Sequence, residues 1–231
     1  MHLVVFDIDG TLTNTSQVDH ACYWRALCEV FGIVAHQPDW SGFCHVTDLR
    51  IACEACERYL GRVANRQELD AVRQRLVALL EVALIVKDPR TFQIRGASAA
   101  LALLRESPDF AIALATGGFR ASAEVKLRRA GLFDASIPWA SSDDAVAREQ
   151  IMRVAAARAA EKYAVEFAAF THVGDGVWDV KAARELGWNF IGIAAGEDAE
   201  RLRCAGAVNI IADYEPVSGL LSMLRTPQRK V

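Results

Sequence analysis

Leu3-Val4-Val5-Phe6-Asp7-Ile8-Asp9-Gly10-Thr11-Leu12-Thr13 is the stretch whose reading decides the fold. Four consecutive apolar residues with no polar face are the mark of a strand buried on both sides in a parallel sheet. The strand is read over 3–8, and it runs straight into two acids. Residues i and i+2 of an extended chain project to the same side, so Asp7 and Asp9 face one small region. Two carboxylates held that close repel each other unless a cation or a proton sits between them. Gly10 lets the backbone turn away from the crowded spot. Ligands of open α/β sheets bind outside the carboxyl ends of the strands, so chemistry is expected here.

Outward from this stretch, further apolar runs of strand length lie at 110–115, 170–174, 190–194 and 208–212, with a weaker one at 136–140. Helical spacing fills the intervals at 97–105, 121–130, 148–162, 178–186 and 198–204. Glycines at 131 and 187 follow two of these helices, as C-terminal caps do. Strands alternating with helices imply a Rossmann-like, mostly parallel sheet in a three-layer α/β/α arrangement. From about 15 to 90 the rhythm breaks, and the chain reads as helical at 19–31, 48–60 and 66–86. A helical block between the first two strands implies an inserted domain. The expected division is an α/β core of 1–14 and 91–231 and a helical cap of 15–90.

The 231 residues, 52% of them hydrophobic, are enough for a full core and exclude a disordered chain. A net charge of −3 argues against a nucleic-acid binder and a polybasic membrane anchor. No run reaches the roughly 18 apolar residues of a membrane span. The N-terminus lacks the layout of a signal peptide. A cytoplasmic protein is expected. Among the six cysteines, Cys53 and Cys56 form a lone CxxC, with only Cys44 and His45 as nearby candidates to complete a zinc site. Structural zinc sites pair two such spacings, so these read as reduced thiols.

Three further segments carry chemistry. In 111–118, Thr116 ends a buried strand with a hydroxyl, and Gly117 and Gly118 leave backbone N–H groups open to an anion. In His172-Val173-Gly174-Asp175-Gly176-Val177-Trp178-Asp179, two acids flank the turn from a strand into a helix. Hard carboxylate oxygens of this kind suit Mg²⁺. A phosphate bound among acids also needs a cationic partner. Arg148, at a helix start, is the first choice. Lys126, inside the 121–130 helix, reads as helix surface.

The order Asp-x-Asp-Gly-Thr, strand-Thr, basic residue, Gly-Asp-x-x-x-Asp resembles the haloacid dehalogenase superfamily over nearly the whole chain. The helical insertion looks like that superfamily's C1 cap. Thr116-Gly117, the segment from Lys126 to Leu132, and Val46-Thr47-Asp48 are similar to its phosphoglycolate phosphatase-like branch. Arg148 departs from the commoner lysine, and Asn14 stands where many relatives have aspartate. The resemblance implies a phosphatase for a small phosphorylated metabolite, with a phosphoglycolate-like substrate among those it allows. In such an enzyme Asp7 attacks phosphorus, and Asp9 serves as acid and then as base. Mg²⁺ is held by Asp7, the Asp9 main-chain oxygen and Asp175, with Asp179 acting through water. Thr116, Gly117 and Arg148 hold the phosphoryl oxygens, and His45 reaches the other end of the substrate.

Other readings share this core. A 2-haloacid dehalogenase needs neither an acid at position 9 nor a metal, because a halide leaves without a proton. A phosphomutase keeps the same residues. A phosphonatase needs a Schiff-base lysine, for which Lys87 is the cap's candidate. A non-enzymatic phospho-acceptor module also uses an aspartate cluster, Mg²⁺ and threonine, but has no use for Asp9 or a cap.

Overall fold

The computed structural model describes residues 1–43, 45–85 and 88–225. Cys44, Lys87, the end of the helix read over 66–86 and the 226–231 tail lie outside them. The strands are β1 (His2–Phe6), β2 (Phe110–Ala115), β3 (Trp139–Ala140), β4 (Ala169–Gly174), β5 (Asn189–Ile193) and β6 (Asn209–Ile211). They form one sheet in the order β3-β2-β1-β4-β5-β6. Every pairing is parallel. The chain steps outward from β1 to β3, then returns to place β4 on the other side of β1. That reversal opens a crevice between the carboxyl ends of β1 and β4, where α/β sheets bind their ligands.

β1 stops two residues earlier than its apolar run suggests. The Asp7 N–H still bonds to the Val173 carbonyl at 2.9 Å, but the Ile8 carbonyl accepts from the N–H groups of Leu12 and Thr13. The turn thus takes Ile8 out of the ladder. The weak strand at 136–140 reduces to two edge residues, and β6 is half-exposed.

Period-2 alternation sorts the two faces. Leu3 and Val5 pack with Ile151, Met152 and Ala155 of α6 (Arg148–Tyr163) and with Val180 of α7 (Val177–Leu186). Val4 and Phe6 point the other way, toward Leu101 and Leu104 of α4 (Ala97–Glu106) and Leu220 of α9 (Val217–Arg225). α8 (Gly196–Cys204) covers β5. This is the three-layer α/β sheet expected from the sequence.

Between β1 and α4 the regular elements among the described residues are all helical: α1 (Ser16–Phe31), α2 (Asp48–Leu60), α3 (Arg66–Ala83) and two short 3-10 turns. Asn65 and Glu68 cap α3 reciprocally, so its start is fixed locally. Tyr23, Leu27, Leu76 and Leu80 bury the apolar stripes of α1 and α3. The chain leaves and rejoins the sheet side by side. The Asn14 N–H bonds to the Phe92 carbonyl, and the Ile94 N–H bonds to the Leu12 carbonyl, both at 3.0 Å. α5 (Arg120–Arg129) packs both against α3 and against the 3-10 turn at 89–92 beside this crossing. No helix among the described residues is long and apolar enough to cross a membrane.

Tyr214, fully buried beyond β6, donates from its hydroxyl to the Thr11 carbonyl at 3.0 Å and so pins the turn after β1. Tyr214→Phe removes this donor from a buried carbonyl, which costs about 1–3 kcal/mol. Thermal unfolding should show Tm lowered by several degrees; an unchanged Tm contradicts the role of this bond.

Candidate active site

Four strand ends deliver the site. Asp7 follows β1, Thr116 follows β2, Ser141 follows β3 and Asp175 follows β4. Asp7, Asp175 and Asp179 bring carboxylate oxygens within 4.8 Å of one another. Gly10, at φ +72°, makes this approach possible, because a Cβ there would overlap the Asp175 carboxylate. Asp7 and Asp9, read from the sequence as one pair, take separate partners. Asp7 Oδ1 is buried without a hydrogen bond, 3.4 Å from Arg148 Nη1. Asp9 turns toward Thr15, whose hydroxyl donates to Asp9 Oδ1 at 2.6 Å, and toward Lys126.

Arg148 is the buried cation beside Asp7. Its Nη1 donates to Asp179 Oδ1 at 2.9 Å and its Nη2 to the Val46 carbonyl at 3.2 Å, while Nε has no partner. Asp179 is fully buried and saturated. Besides Arg148 it has the His172 ring at 3.1 Å, and it accepts from the Gly176 N–H at 3.0 Å. It orients Arg148 more than it faces open space. Gly117 is a close-approach position. A Cβ there would lie 2.8 Å from the Val46 carbonyl and overlap the Arg148 guanidinium.

Lys126 corrects the sequence reading. It is not helix surface but fully buried, paired with Asp9 and, at 2.7 Å, with Asp19. Ser122, Ala123, Lys126 and Leu127 make up the buried stripe of α5, and the lysine lies on it. A cation on a helix's apolar stripe was the available signal, masked by the many charges of that helix. Asp19, His20, Tyr23 and Trp40 were also missed as site residues, since each sits in a helical pattern or loop with no motif of its own, and Asp48 was noted within the 46–48 segment but given no role. With the strand-end residues they line a cavity of about 100 Å³ over Asp7. His45, half-buried, does not line this cavity. It borders an adjoining cleft with Phe43 and Lys181, and that cleft shares Val46, Arg148 and Trp178 with the cavity.

The segment 46–48 is stitched to the sheet loops. The Asp48 N–H donates to the Gly117 carbonyl at 2.8 Å, and the Thr47 hydroxyl donates to the Val146 carbonyl at 2.8 Å. Asp48 Oδ2 accepts from the Phe119 N–H at 2.8 Å.

Crowding shows in the acidities. Burial pushes Asp7 up to about 6 against the pull of Arg148, with Asp179 and Asp9 adding to the rise. Burial, then Asp7 and Asp179, hold Asp175 well above the usual carboxylate range. Asp179 is buried too, yet Arg148 and His172 bring it below that range. Burial and Asp19 raise Asp48 to about 8. Hard oxygen donors, an orphaned carboxylate oxygen and mutual repulsion together fit a divalent cation at Asp7 and Asp175. The arrangement can present one carboxylate to an electrophile beside a guanidinium, with a second carboxylate held apart for proton transfer.

Comparison with known proteins agrees with this geometry. A family model for haloacid dehalogenase-like hydrolases matches residues 1–187. The chain belongs to that family and is a hydrolase of it. No curated protein matches. A hydrolase from Pseudomonas syringae aligns with 98% of this chain and 100% of its own, at 20% identity and a TM-score of 0.72. A haloacid dehalogenase hydrolase of family IA, variant 3, from Entamoeba histolytica aligns with 98% and 100% of the two chains, at 16% identity and a TM-score of 0.69. CbbY from Rhodobacter sphaeroides, solved in complex with phosphate, aligns with 94% and 98%, at 20% identity and a TM-score of 0.62. These likenesses show a shared fold.

Asp48 gives a pH prediction. Its folded pKa lies above the unfolded value near 4, so the folded state retains a proton that the unfolded state loses. This contribution to stability is full below about pH 4 and is lost as pH rises toward 8. Asp48→Asn keeps an acceptor for the Phe119 N–H and cannot ionise. Its Tm relative to wild type should therefore climb between about pH 5 and 8. A constant difference across that range contradicts a protonated Asp48.

Proposed function

We propose that the protein is a magnesium-dependent phosphatase that hydrolyses a small phosphorylated metabolite through an aspartyl-phosphate on Asp7, with residues 15–90 acting as its cap. The observation that carries this reading is the division of labour between two acids on one turn. Asp7 offers an unpartnered oxygen beside Arg148, and Asp9 is held separately by Thr15 and Lys126.

In the first step an Asp7 oxygen forms a bond to phosphorus as the bond to the leaving oxygen breaks. Asp9 gives that oxygen its proton. In the second step Asp9 takes a proton from water, whose oxygen displaces Asp7 and yields inorganic phosphate. Arg148, the Thr116 hydroxyl and the Gly117 backbone face the phosphoryl oxygens and offset their charge. Asp7, the Asp9 main-chain oxygen and Asp175 would hold Mg²⁺, with Asp179 acting through water. The ion supplies charge neutralisation that lets a carboxylate approach a phosphate dianion.

A 2-haloacid dehalogenase has no need for the machinery around Asp9. A phospho-acceptor module has none for a cavity lined by Tyr23 and Trp40. The cavity is small, and Asp19 and Asp48 line it with the strand-end residues. A short alcohol portion suits that size, as in a phosphoglycolate-like substrate. The likeness to a phosphate-bound relative supports a phosphoryl ligand. Location in the cytoplasm is consistent with such a substrate.

Chelation by EDTA should abolish turnover of small phosphomonoesters, and Mg²⁺ should restore it. Full activity in chelator contradicts the metal assignment. Asp7→Asn should be inactive with every substrate. Asp9→Asn should release about one equivalent of phenol from an activated aryl phosphate and then turn over slowly. General acid–base help is worth about 10²–10⁴-fold, enough to make hydrolysis of the intermediate limiting. The quenched protein should carry hydroxylamine-labile phosphate on the peptide containing Asp7. Absence of both burst and phosphoprotein contradicts the two-role assignment.

A further inference from the structure

Lys126 has no role in the mechanism above, yet its ammonium group is fully buried between a sheet-side helix and the helical segment. Burying a charge costs several kcal/mol, and a buried ion pair is weak as a stabiliser compared with apolar packing. A methionine would fill the stripe of α5 at least as well. The ammonium instead bridges two carboxylates from different parts of the fold. Asp9 belongs to the turn after β1, and Asp19 to the first turn of α1. Asp19 first, and then Asp9, keep the lysine charged despite its burial.

Asp9 is fixed at both ends of its carboxylate. Oδ1 accepts from the Thr15 hydroxyl, which is itself 2.6 Å from the Thr13 hydroxyl, and Oδ2 meets Lys126. A group that passes a proton to a leaving oxygen must lie within hydrogen-bond reach of it, and small misplacements are costly. The thread of Thr13 and Thr15 runs along the chain from the same turn to the N-cap of α1 and sets the direction of one oxygen. Lys126 ties the other oxygen to α5, an element distant in sequence, and its second bond, to Asp19, shares that tie with the first turn of α1.

We propose that Lys126 is a positioning residue that aligns the Asp9 carboxylate for proton transfer and links this alignment, through Asp19, to the seating of α1 against the sheet. The proposal rests on the phosphatase reading for its kinetic consequence, but its structural consequence stands independently.

The test uses Lys126→Met and the charge-compensated double variant Lys126→Met with Asp19→Asn. The double variant removes one positive and one negative charge, and so remains informative if the single variant fails to fold. Two readouts are taken: the crystal structure of the variant and the rate of the first turnover with two Mg²⁺-supported substrates. Ethyl phosphate has a leaving group that needs a proton, and an activated aryl phosphate has one that does not. The expected result is a displaced Asp9 carboxylate. First turnover of ethyl phosphate should slow by about 10²-fold or more, while the aryl burst changes less than tenfold. KM should hold for both. An Asp9 carboxylate in its original place overturns the proposal, as does equal slowing of the two substrates or full recovery in the double variant. If wild type turns over neither ester, the phosphatase reading fails, and the position of Asp9 in the variant still decides the role of Lys126.

Discussion

The constraint on which the rest of the structure depends is charge crowding at the switch point of the sheet. Asp7, Asp9, Asp19, Asp48 and Asp175 line one small cavity, and Asp179 stands directly behind it. Two buried cations, Arg148 and Lys126, face them. The imbalance is resolved by division. Arg148 is paired with Asp179 and lies beside Asp7, Lys126 takes Asp9 and Asp19, and Asp48 keeps its proton. What is left over at Asp7 and Asp175 is repulsion, the condition under which a divalent cation binds favourably.

The fold serves this arrangement in physical terms. Parallel strands need crossover helices, so each strand end opens into a turn free to carry a polar group. β1, at the centre, places Asp7 between the ends of β2 and β4. Tyr23 and Trp40 of the helical segment line the same cavity, and 46–48 is stitched to the loops after β2 and β3. Burial of the acids there strengthens the charge interactions among them.

Much of this was legible in the sequence because strand-end chemistry is local. Asp7 and Asp9 follow an apolar run, Thr116 ends another, and Asp175 a third, so a strand reading places them together without knowledge of side-chain contacts. Arg148 could be reached by asking what balances the acids. The helices read at 97–105, 121–130, 148–162, 178–186 and 198–204 fell within two residues of their expected bounds, since apolar stripes and glycine caps are strong signals, whereas α9 (Val217–Arg225) was not read from the sequence. Lys126 was not legible, because a lysine in a charged helix looks solvated unless its stripe is traced against Ala123 and Leu127. Asp19, Tyr23 and Trp40 were hidden for a different reason. They reach the cavity only through the packing of the helical segment on the sheet, which no local pattern encodes. His45 was chosen for its residue type and loop position, and a side chain one or two residues away from the stitched segment 46–48 can face a different cleft.

The central claim is that hydrolysis proceeds by two successive displacements at phosphorus, the first by Asp7. The stereochemical course with a thiophosphate ester made chiral at phosphorus by two oxygen isotopes, and hydrolysed in water of the third, tests it most directly. Each in-line displacement inverts phosphorus, so a route through Asp7 gives net retention in the released inorganic thiophosphate. Net inversion would show that water attacks the ester in a single step, and would leave Asp7 without the role its position supports.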